Sequence, residues 1–450
     1  MKTKLKVLLL AILAIILVAC PQSSGNGTSG STTGDGTGTG GSTGGSGNGG
    51  GVTPKPTLVS ISVTQNYLDD YLLGNTIEPG DITVMARYSD GSEKEVTTYS
   101  TDADFSSLAT DKQVTVTYTE DDVTETDTFT VNVVARWSAN DLVETLVELP
   151  AGTDGSVGTS GKYVLFGNWP QTIKSETVKV QDRNTKQVGM FSYCVGDDGC
   201  YYVKILENAF NTRPEYAYSD GTLPQKAESN SYKFFKVEQL KWRILEETTE
   251  KKTLFSETAV MGNVPFYDIY HERSIDGKSI SPNNYKHSKI RAWLNGLTYN
   301  KNIDFDHSTD SDEYLNKGFF QTAFNSQAQN RIMQVEVDNS LASVGHESNG
   351  YLCENTNDKV FLLSLVEGKN TSWFADESSR IRHPTDFALA TYVRKWNTEN
   401  TGVEYSLRSP DKGFKNSGYY VDCDGNIWGQ YVYGESNARL GIVPALCITP

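Results

Sequence analysis

From Pro21 to Val52 the chain is built almost wholly of Gly, Ser, Thr and Asn, and this tract holds about a third of the 40 glycines. Before Val52 it offers no apolar side chain with which to start a core, so it cannot offset the entropy of ordering its backbone. It is expected to be a flexible tether, with a root-mean-square reach on the order of 30 Å. Thr53-Pro-Lys-Pro56 then stiffens the entry into whatever folds. Ordered structure must therefore come from the apolar segment before the tract or from the long remainder after it.

The segment before it begins with Lys2, Lys4 and Lys6, continues as an apolar run from Val7 to Val18, and closes on Leu17-Val18-Ala19-Cys20. At about 12 residues the run is too short for a membrane-spanning helix, which needs roughly 20. A basic start, an apolar middle and a small residue before a cysteine have the form of a bacterial lipoprotein signal. Residues 1–19 are then the signal, Cys20 carries the lipid, and the membrane is a partner through that anchor. Pro21 stands where an aspartate would hold some lipoproteins on the inner membrane, so the expected address is the cell envelope, at the outer membrane or cell surface.

The net charge is −16, and removing a signal with three lysines leaves the mature chain more acidic still. Such a balance argues against nucleic acid as a partner, whose phosphates demand a basic face. With Cys20 lipidated, five cysteines remain, an odd number. Cys194 and Cys200 flank the turn sequence Val-Gly-Asp-Asp-Gly between strand-like runs, so a hairpin could bring them into a disulfide or leave both reduced. Cys353, Cys423 and Cys447 have no pairing that spacing can choose.

Residues 57–135 read as all-β. Leu58-Val-Ser-Ile-Ser-Val63 alternates with Val59, Ile61 and Val63 on one face, and Ile82–Tyr88, Val114–Tyr118 and Phe129–Val134 follow, separated by Ser89-Asp-Gly-Ser92 and Glu120-Asp-Asp122. Several short strands in so few residues suggest a sandwich. Tyr71-Leu-Leu-Gly74, Tyr88-Ser-Asp-Gly91 and Val96-Thr97, with the strands around them, resemble the group-3 bacterial immunoglobulin-like domain. That resemblance implies a spacer or adhesive module at a bacterial surface.

A connector, 136–161, contains Asn140–Glu148, where a capping residue and apolar Leu142, Val143, Leu146 and Val147 predict a helix stopped by Pro150. The remainder, 162–450, mixes strand-like runs (Tyr163–Phe166, Leu240–Leu245, Val360–Ser364, Tyr419–Val421) with helical ones (His287–Leu294, Gln327–Met333, Thr385–Trp396) and is expected to be α+β.

Catalytic and metal signatures are sparse. The five histidines, His271, His287, His307, His346 and His383, show no helical i, i+4 pair. Asp304 to Asp312 has the alternating acids of a calcium loop but lacks its glycine and its closing glutamate, so a solvated loop is the simpler reading, and Asp422-Cys-Asp-Gly-Asn426 reads as a turn. No cofactor, metal site or catalytic residue is implied. Aromatic residues beside polar or glycine neighbours, Trp169, Trp242, Trp293, Trp428 and Tyr431/Tyr433, could face a sugar or a protein, although a core position is the commoner fate of any one tryptophan. Candidate ligand-binding residues are Trp169, Trp293, Arg408, Tyr419, Trp428 and Tyr431. Arg408 has a second reading, as a lock on backbone carbonyls.

Six blocks carry a second resemblance: Phe166-Gly-Asn-Trp-Pro-Gln-Thr172, Leu240-Lys-Trp-Arg-Ile-Leu245, Lys289-Ile-Arg-Ala-Trp-Leu-Asn295, Lys359-Val-Phe-Leu-Leu-Ser364, Tyr405-Ser-Leu-Arg-Ser-Pro410 and Gly441-Ile-Val-Pro-Ala-Leu446. In this order they resemble an uncharacterised domain family of bacterial secreted and surface proteins, with Val443 where that family has arginine. The closing blocks are similar in style to the C-type-lectin-like scaffold of sulfatase-modifying factors, although Cys423 and Cys447 do not fit the cysteine spacing of those enzymes. The expectation is a multidomain surface lipoprotein in which an immunoglobulin-like spacer presents an α+β domain, C-type-lectin-like in this comparison, to a host or matrix protein or a glycan. The alternative is an envelope enzyme, a hydrolase or a thiol oxidase of the sulfatase-modifying type.

Overall fold

The structure is a computed structural model that describes residues 55–150, 162–227, 231–266, 273–275, 277–299, 314–395, 402–431 and 439–450. Cys20, the Gly/Ser/Thr tract and the acidic loop Asp304 to Asp312 lie outside these residues. Residues 57–450 form one compact unit. It holds two hydrophobic cores, one drawn from Leu58 to Val133 and one from Val164 to Ile448. The chain is mostly β, with several sheets and short helices. No helix among the described residues is long and apolar enough to cross a membrane.

The first core is a two-sheet sandwich. Strands β1 (Leu58–Gln65), β3 (Ile82–Tyr88) and β4 (Glu93–Val96) form one sheet. The second, β2-β7-β6-β5, joins β2 (Tyr71–Leu72), β7 (Val123–Val134), β6 (Ala109–Glu120) and β5 (Ser100–Thr101). Ile61, Ile82, Val84 and Ala86 of one sheet meet Val114, Val116, Phe129 and Val131 of the other, as the alternating pattern requires. The β6–β7 hairpin turns on Asp121 (φ 48°) and Asp122 (φ 64°), aspartate being among the few side chains that tolerate two successive left-handed residues. One expected face is wrong. A bulge between Leu58 and Ser60 turns Leu58 inward and leaves Val59 51 % exposed, away from Ile61.

The helix expected over Asn140–Glu148 does not form. The segment runs without helix into β8 (Val147–Leu149), which pairs with β9 (Tyr163–Ile173). Leu142 and Leu146 still pack on the larger core. The carbonyl of Val143, which a helix would use internally, instead accepts from Asn168 Nδ2 (2.9 Å) and Gln239 Nε2 (3.4 Å). The apolar spacing is satisfied by docking rather than by coiling, a tertiary override of a weak local preference.

The larger core is organised by a nine-stranded sheet. Its path runs β10 (Val180–Val188), β11 (Phe191–Gly196), β12 (Tyr201–Leu206), β13 (Tyr232–Glu247), β14 (Lys252–Ser256), β25 (Ala445–Ile448) and β20 (Val360–Phe361), with β8 and β9 attached through β13. The long β13 serves β12 with its first residues and β14 with its last, while β9 runs antiparallel to it. Short ladders complete the β structure: β15 (Thr258–Ala259) with β21 (His383–Pro384), β16 (Arg273–Ile275) with β17 (Lys278–Ile280), and β18 (Val335–Val337) with β19 (Thr356–Asp358). A separate sheet holds β22 (Tyr405–Pro410), β23 (Ser417–Val421) and β24 (Ile427–Tyr431).

The helices are α1 (Lys289–Asn295), α2 (Phe319–Ala323), α3 (Ser326–Arg331), α4 (Leu341–Val344), α5 (Leu365–Gly368) and α6 (Asp386–Ala390). Their N-caps are short polar side chains: those of Ser288, Asn325, Ser364 and Thr385 each accept from the first turn. Helix α6 is much shorter than the Thr385–Trp396 pattern predicts. It ends at Ala390, and Tyr392 then adopts φ 79°, outside any right-handed helix.

An arginine fastens the two cores together. Arg183 on β10 makes a paired hydrogen bond to the carboxylate of Asp81 and lies over the Tyr67 ring, 3.4 Å from its centroid. Tyr71 Oη and the Glu78 N–H also donate to Asp81. Burial opposes ionisation of Asp81, but these hydrogen bonds and the arginine charge hold its carboxyl below the usual range. Its contribution is thus present above the unfolded carboxylate pKa and is lost as pH falls through the lower folded value. Arg183→Ala is expected to remove about 1.5–3 kcal/mol of coupling and to split a shared calorimetric transition into two. An unchanged single transition would rule the clamp out.

Candidate ligand-binding face

Most of the aromatic residues singled out by sequence are architecture. Trp169 and Trp293 are 0 % and 1 % exposed and meet edge to face at 5.9 Å. Trp169 Nε1 donates to the Val260 carbonyl, and the equally buried Trp242 donates to that of Phe166. Neither candidate tryptophan reaches a surface, because each ring is large enough to anchor a sheet-to-helix contact that smaller residues would leave void. Arg408, 2 % exposed, is the internal lock of its second reading. It donates to the Leu362 and Asp338 carbonyls and to both carboxylate oxygens of Glu367, which in turn caps α5.

Cys194 and Cys200 are free thiols here. The hairpin forms as expected, but its register sets Tyr202 opposite Cys194, while Gly196 N–H donates to the Cys200 carbonyl across the turn. The two cysteines are thus offset by two residues rather than facing. Burial pushes the Cys194 thiol up to about 11, with Asp182 adding to the effect. Burial likewise pushes Cys423 up to about 11, with Asp424 and Asp422 adding, and raises Cys447. These are the reverse of the electropositive settings that make a thiolate nucleophile. Among the described residues no group of three or more His, Cys, Asp or Glu could hold a metal ion.

Tyr419 and Trp428 remain, on opposite faces of the β22–β23–β24 sheet. In this sheet Tyr405 stands opposite Val421, Val421 opposite Ile427, and Tyr420 opposite Trp428. Tyr405, Leu407, Val421, Ile427 and Tyr419 belong to the face that packs on the core. Tyr419 Oη there meets His346 Nε2 at 2.9 Å. Alternation puts Tyr420, Asp422 and Trp428 on the other face, with Glu404 just before β22 beside Asp422. Trp428 is 56 % exposed. Tyr431 pairs through its backbone with Ser417, and its side chain lies outside the described residues.

The turn Asp422-Cys-Asp-Gly-Asn426 aims this face. Asp422 Oδ1 accepts from the backbone of Asp424 and Asn426, and Oδ2 accepts from Trp428 Nε1 at 2.8 Å, so the indole edge is pinned while the ring stays exposed. Gly425 (φ 85°) is required, since a Cβ there would lie 1.8 Å from the Glu377 carbonyl oxygen.

Beside Tyr420, three segments bring Arg394, Glu404 and Arg439 together. Arg394 N–H donates to the Arg439 carbonyl, and Gly441 N–H to that of Glu404. Arg394 Nη1 and Arg439 Nε each stand 3.9 Å from Glu404 Oε2. Burial raises the Glu404 pKa while both arginines oppose it, and burial lowers that of Arg394. Tyr420 is pushed up to about 12 by burial and then by Glu404 and Asp422, which places all these groups in one field. The face offers an exposed aromatic ring and planar donors and acceptors, chemistry suited to recognition. Sequence reading missed Arg394, Glu404, Tyr420 and Arg439, and it read Asp422 as turn chemistry alone. The available signal was the alternation of Glu404-Tyr-Ser-Leu and Tyr420-Val-Asp, polar on one face and apolar on the other.

Residues 250–450 match a protein family described as Domain of unknown function (DUF6273). The match contains the whole candidate face and four of the six blocks quoted above, while those at Phe166 and Leu240 lie outside it. No curated protein and no solved structure matches the chain.

Proposed function

We propose that the chain is a bacterial surface lipoprotein, anchored through lipid on Cys20 and lifted by the Gly/Ser/Thr tract. In this reading the sandwich over 57–135 is a group-3 immunoglobulin-like spacer, and the C-terminal domain, C-type-lectin-like in style, binds a host or matrix protein or a glycan. The observation that carries the binding role is Trp428, an exposed tryptophan whose edge is pinned by Asp422 on the polar face of an otherwise core-packed sheet. Exposed, pre-set aromatics of this kind supply contact area at small entropic cost.

The test is binding of the full chain to glycan and matrix-protein arrays. Trp428→Ala is expected to weaken the bound partner at least about tenfold, the range of an interface anchor, while changing stability by no more than about 0.5 kcal/mol, as for other surface sites. Flat arrays, or a partner indifferent to Trp428, would count against the binding role. The anchor is tested separately. Cys20→Ser removes the thiol that would take lipid and should move the chain from the membrane fraction to the soluble one; retention in the membrane would overturn it.

A further inference from the structure

A cavity of about 420 Å³ opens between the two cores, with Tyr67 and Leu72 on one side and Asp182 and Arg183 on the other. Small-ligand sites have volumes of about 300–1,000 Å³. Leu72, Val134, Trp137 and Val180 give this cavity an apolar wall. The backbone of Trp137 is fixed there, its N–H donating to Gln181 Oε1 at 2.8 Å and its carbonyl accepting from Asn184 Nδ2 at 2.6 Å.

The polar groups of the cavity satisfy one another poorly. Tyr67 Oη stands 3.5 Å from both the Asp70 carbonyl oxygen and Asp182 Oδ1, where an O–H···O bond prefers about 2.7–2.8 Å. All three residues line the cavity, so three acceptor oxygens gather at its wall. Lys204 Nζ takes Asp182 Oδ2 and leaves Oδ1, while the Arg183 guanidinium is bound to Asp81. Burial and then Asp182 hold the Tyr67 hydroxyl above its ordinary range, with Arg183 opposing, so it stays protonated and keeps lone pairs to offer. At the exposed rim, the Asp69 carboxylate and Lys179 Nζ make no hydrogen bond among the described residues. The backbone of Lys179 is nonetheless fixed, its N–H donating to Asp197 Oδ1 and its carbonyl accepting from Asp197 N–H.

A group that satisfies these oxygens must donate to several of them at once and carry positive charge. A carboxylate donates nothing, a hydroxyl has one donor and no charge, and a guanidinium spreads its donors in a rigid plane. A primary ammonium is compact and has three rotatable donors. The apolar wall suits the body that carries it, and Lys179 suits a carboxylate at the far end. A short peptide has all three parts.

We infer that this cavity is a second binding site, which holds the primary ammonium of a short peptide at Tyr67 Oη, Asp70 O and Asp182 Oδ1 and directs its carboxylate toward Lys179. The site shares no residue with the Trp428 face and does not depend on it.

Calorimetric titration of the full chain with three peptides tests it. Ala-Leu-Ala carries its ammonium at the chain terminus, N-acetyl-Ala-Lys-Ala carries one on a side chain, and N-acetyl-Ala-Leu-Ala carries none. At least one of the first two is expected to bind, and the stronger identifies the source of the ammonium. N-acetyl-Ala-Leu-Ala should bind at least about tenfold more weakly, the scale of a charged hydrogen-bonding group. Asp182→Asn should weaken the bound peptide by a similar factor, and Tyr67→Phe, which keeps the ring beneath Arg183, severalfold. Lys179→Met and amidation of the peptide carboxylate should each weaken binding severalfold, and together no more than either alone. Trp428→Ala should change none of this. Equal binding of the peptide without an ammonium overturns the ammonium site. Binding unchanged in folded Tyr67→Phe and Asp182→Asn variants overturns its location. No binding of any peptide overturns the inference and leaves the Trp428 face untouched. Near-ultraviolet circular dichroism checks the fold, and if Asp182→Asn misfolds, Tyr67→Phe and the acetylated peptides still decide.

Discussion

Trp169→Ala is expected to destabilise the larger core by about 3–5 kcal/mol, the range for deleting a buried aromatic ring. With domain stabilities of about 5–15 kcal/mol, this is a large share of the total. The cost is high here because the ring is shared by several elements. Trp169 lies on β9, contacts Phe319 of α2, Trp293 of α1, Phe387 of α6 and Phe191 of β11, and donates to the Val260 carbonyl. Its removal would open a cavity that four elements would have to close together, and would strand that carbonyl. A melting temperature lower by on the order of 10 °C, measured by calorimetry, is the expected readout. Trp428→Ala, on an exposed ring, is the internal control. Equal losses at the two sites would contradict the division of the tryptophans into core and surface.

That division was only half legible in sequence. Phe166-Gly-Asn-Trp169 advertises an aromatic beside glycine and asparagine, the same local pattern as Ile427-Trp428-Gly429, yet one ring is buried and the other exposed. What separates them is tertiary. Gly167 (φ 76°) brings the β9 backbone against Phe324, where a Cβ would lie 2.4 Å from the ring, and so draws Trp169 inward. Nothing within a few residues of Trp169 announces Phe324. Features set by neighbours in the chain were readable: the strands β3, β6 and β7, the helical stretches that became α1 and α3, and the Cys194–Cys200 hairpin. Features set by distant partners were not: the docking of Leu142 and Leu146 and the truncation of α6.

The same distinction explains the blocks that carry the family resemblance. Each is occupied with architecture. Trp242 donates to the Phe166 carbonyl, and Ser409 Oγ accepts from Leu365 N–H. Arg408 ties α5 to the Asp338 carbonyl. The residues of these blocks therefore hold the scaffold, while the face formed by Glu404, Tyr420, Asp422 and Trp428 is assembled from residues between or beside them. A motif-led search for function is therefore drawn to the core first.

The block on α1 supplies the second large effect. Arg291 Nε and Nη2 donate to both oxygens of Asp358 at 2.7–3.0 Å, Nη1 donates to the Lys286 carbonyl, and Thr356 Oγ1 donates to Asp358. The aspartate side chain is fully buried and the arginine nearly so. Two residues further along the helix Trp293 enters the core, and after another two Asn295 binds the backbone of Lys359 and Val360. One short helix is thereby bolted to β19 and β20. Asp358→Ala leaves a guanidinium that is largely buried and without its charge partner, a loss of about 3–5 kcal/mol. Replacing the pair together, Arg291→Met with Asp358→Leu, removes both charges and should cost less than Asp358→Ala alone, since the desolvation penalty disappears with the attraction. Chemical denaturation of the single and double variants measures the difference. If the double variant is as unstable as the sum of its parts, the pair contributes through independent contacts rather than as a coupled ion pair, and the account of α1 as a helix held by mutual charge satisfaction fails.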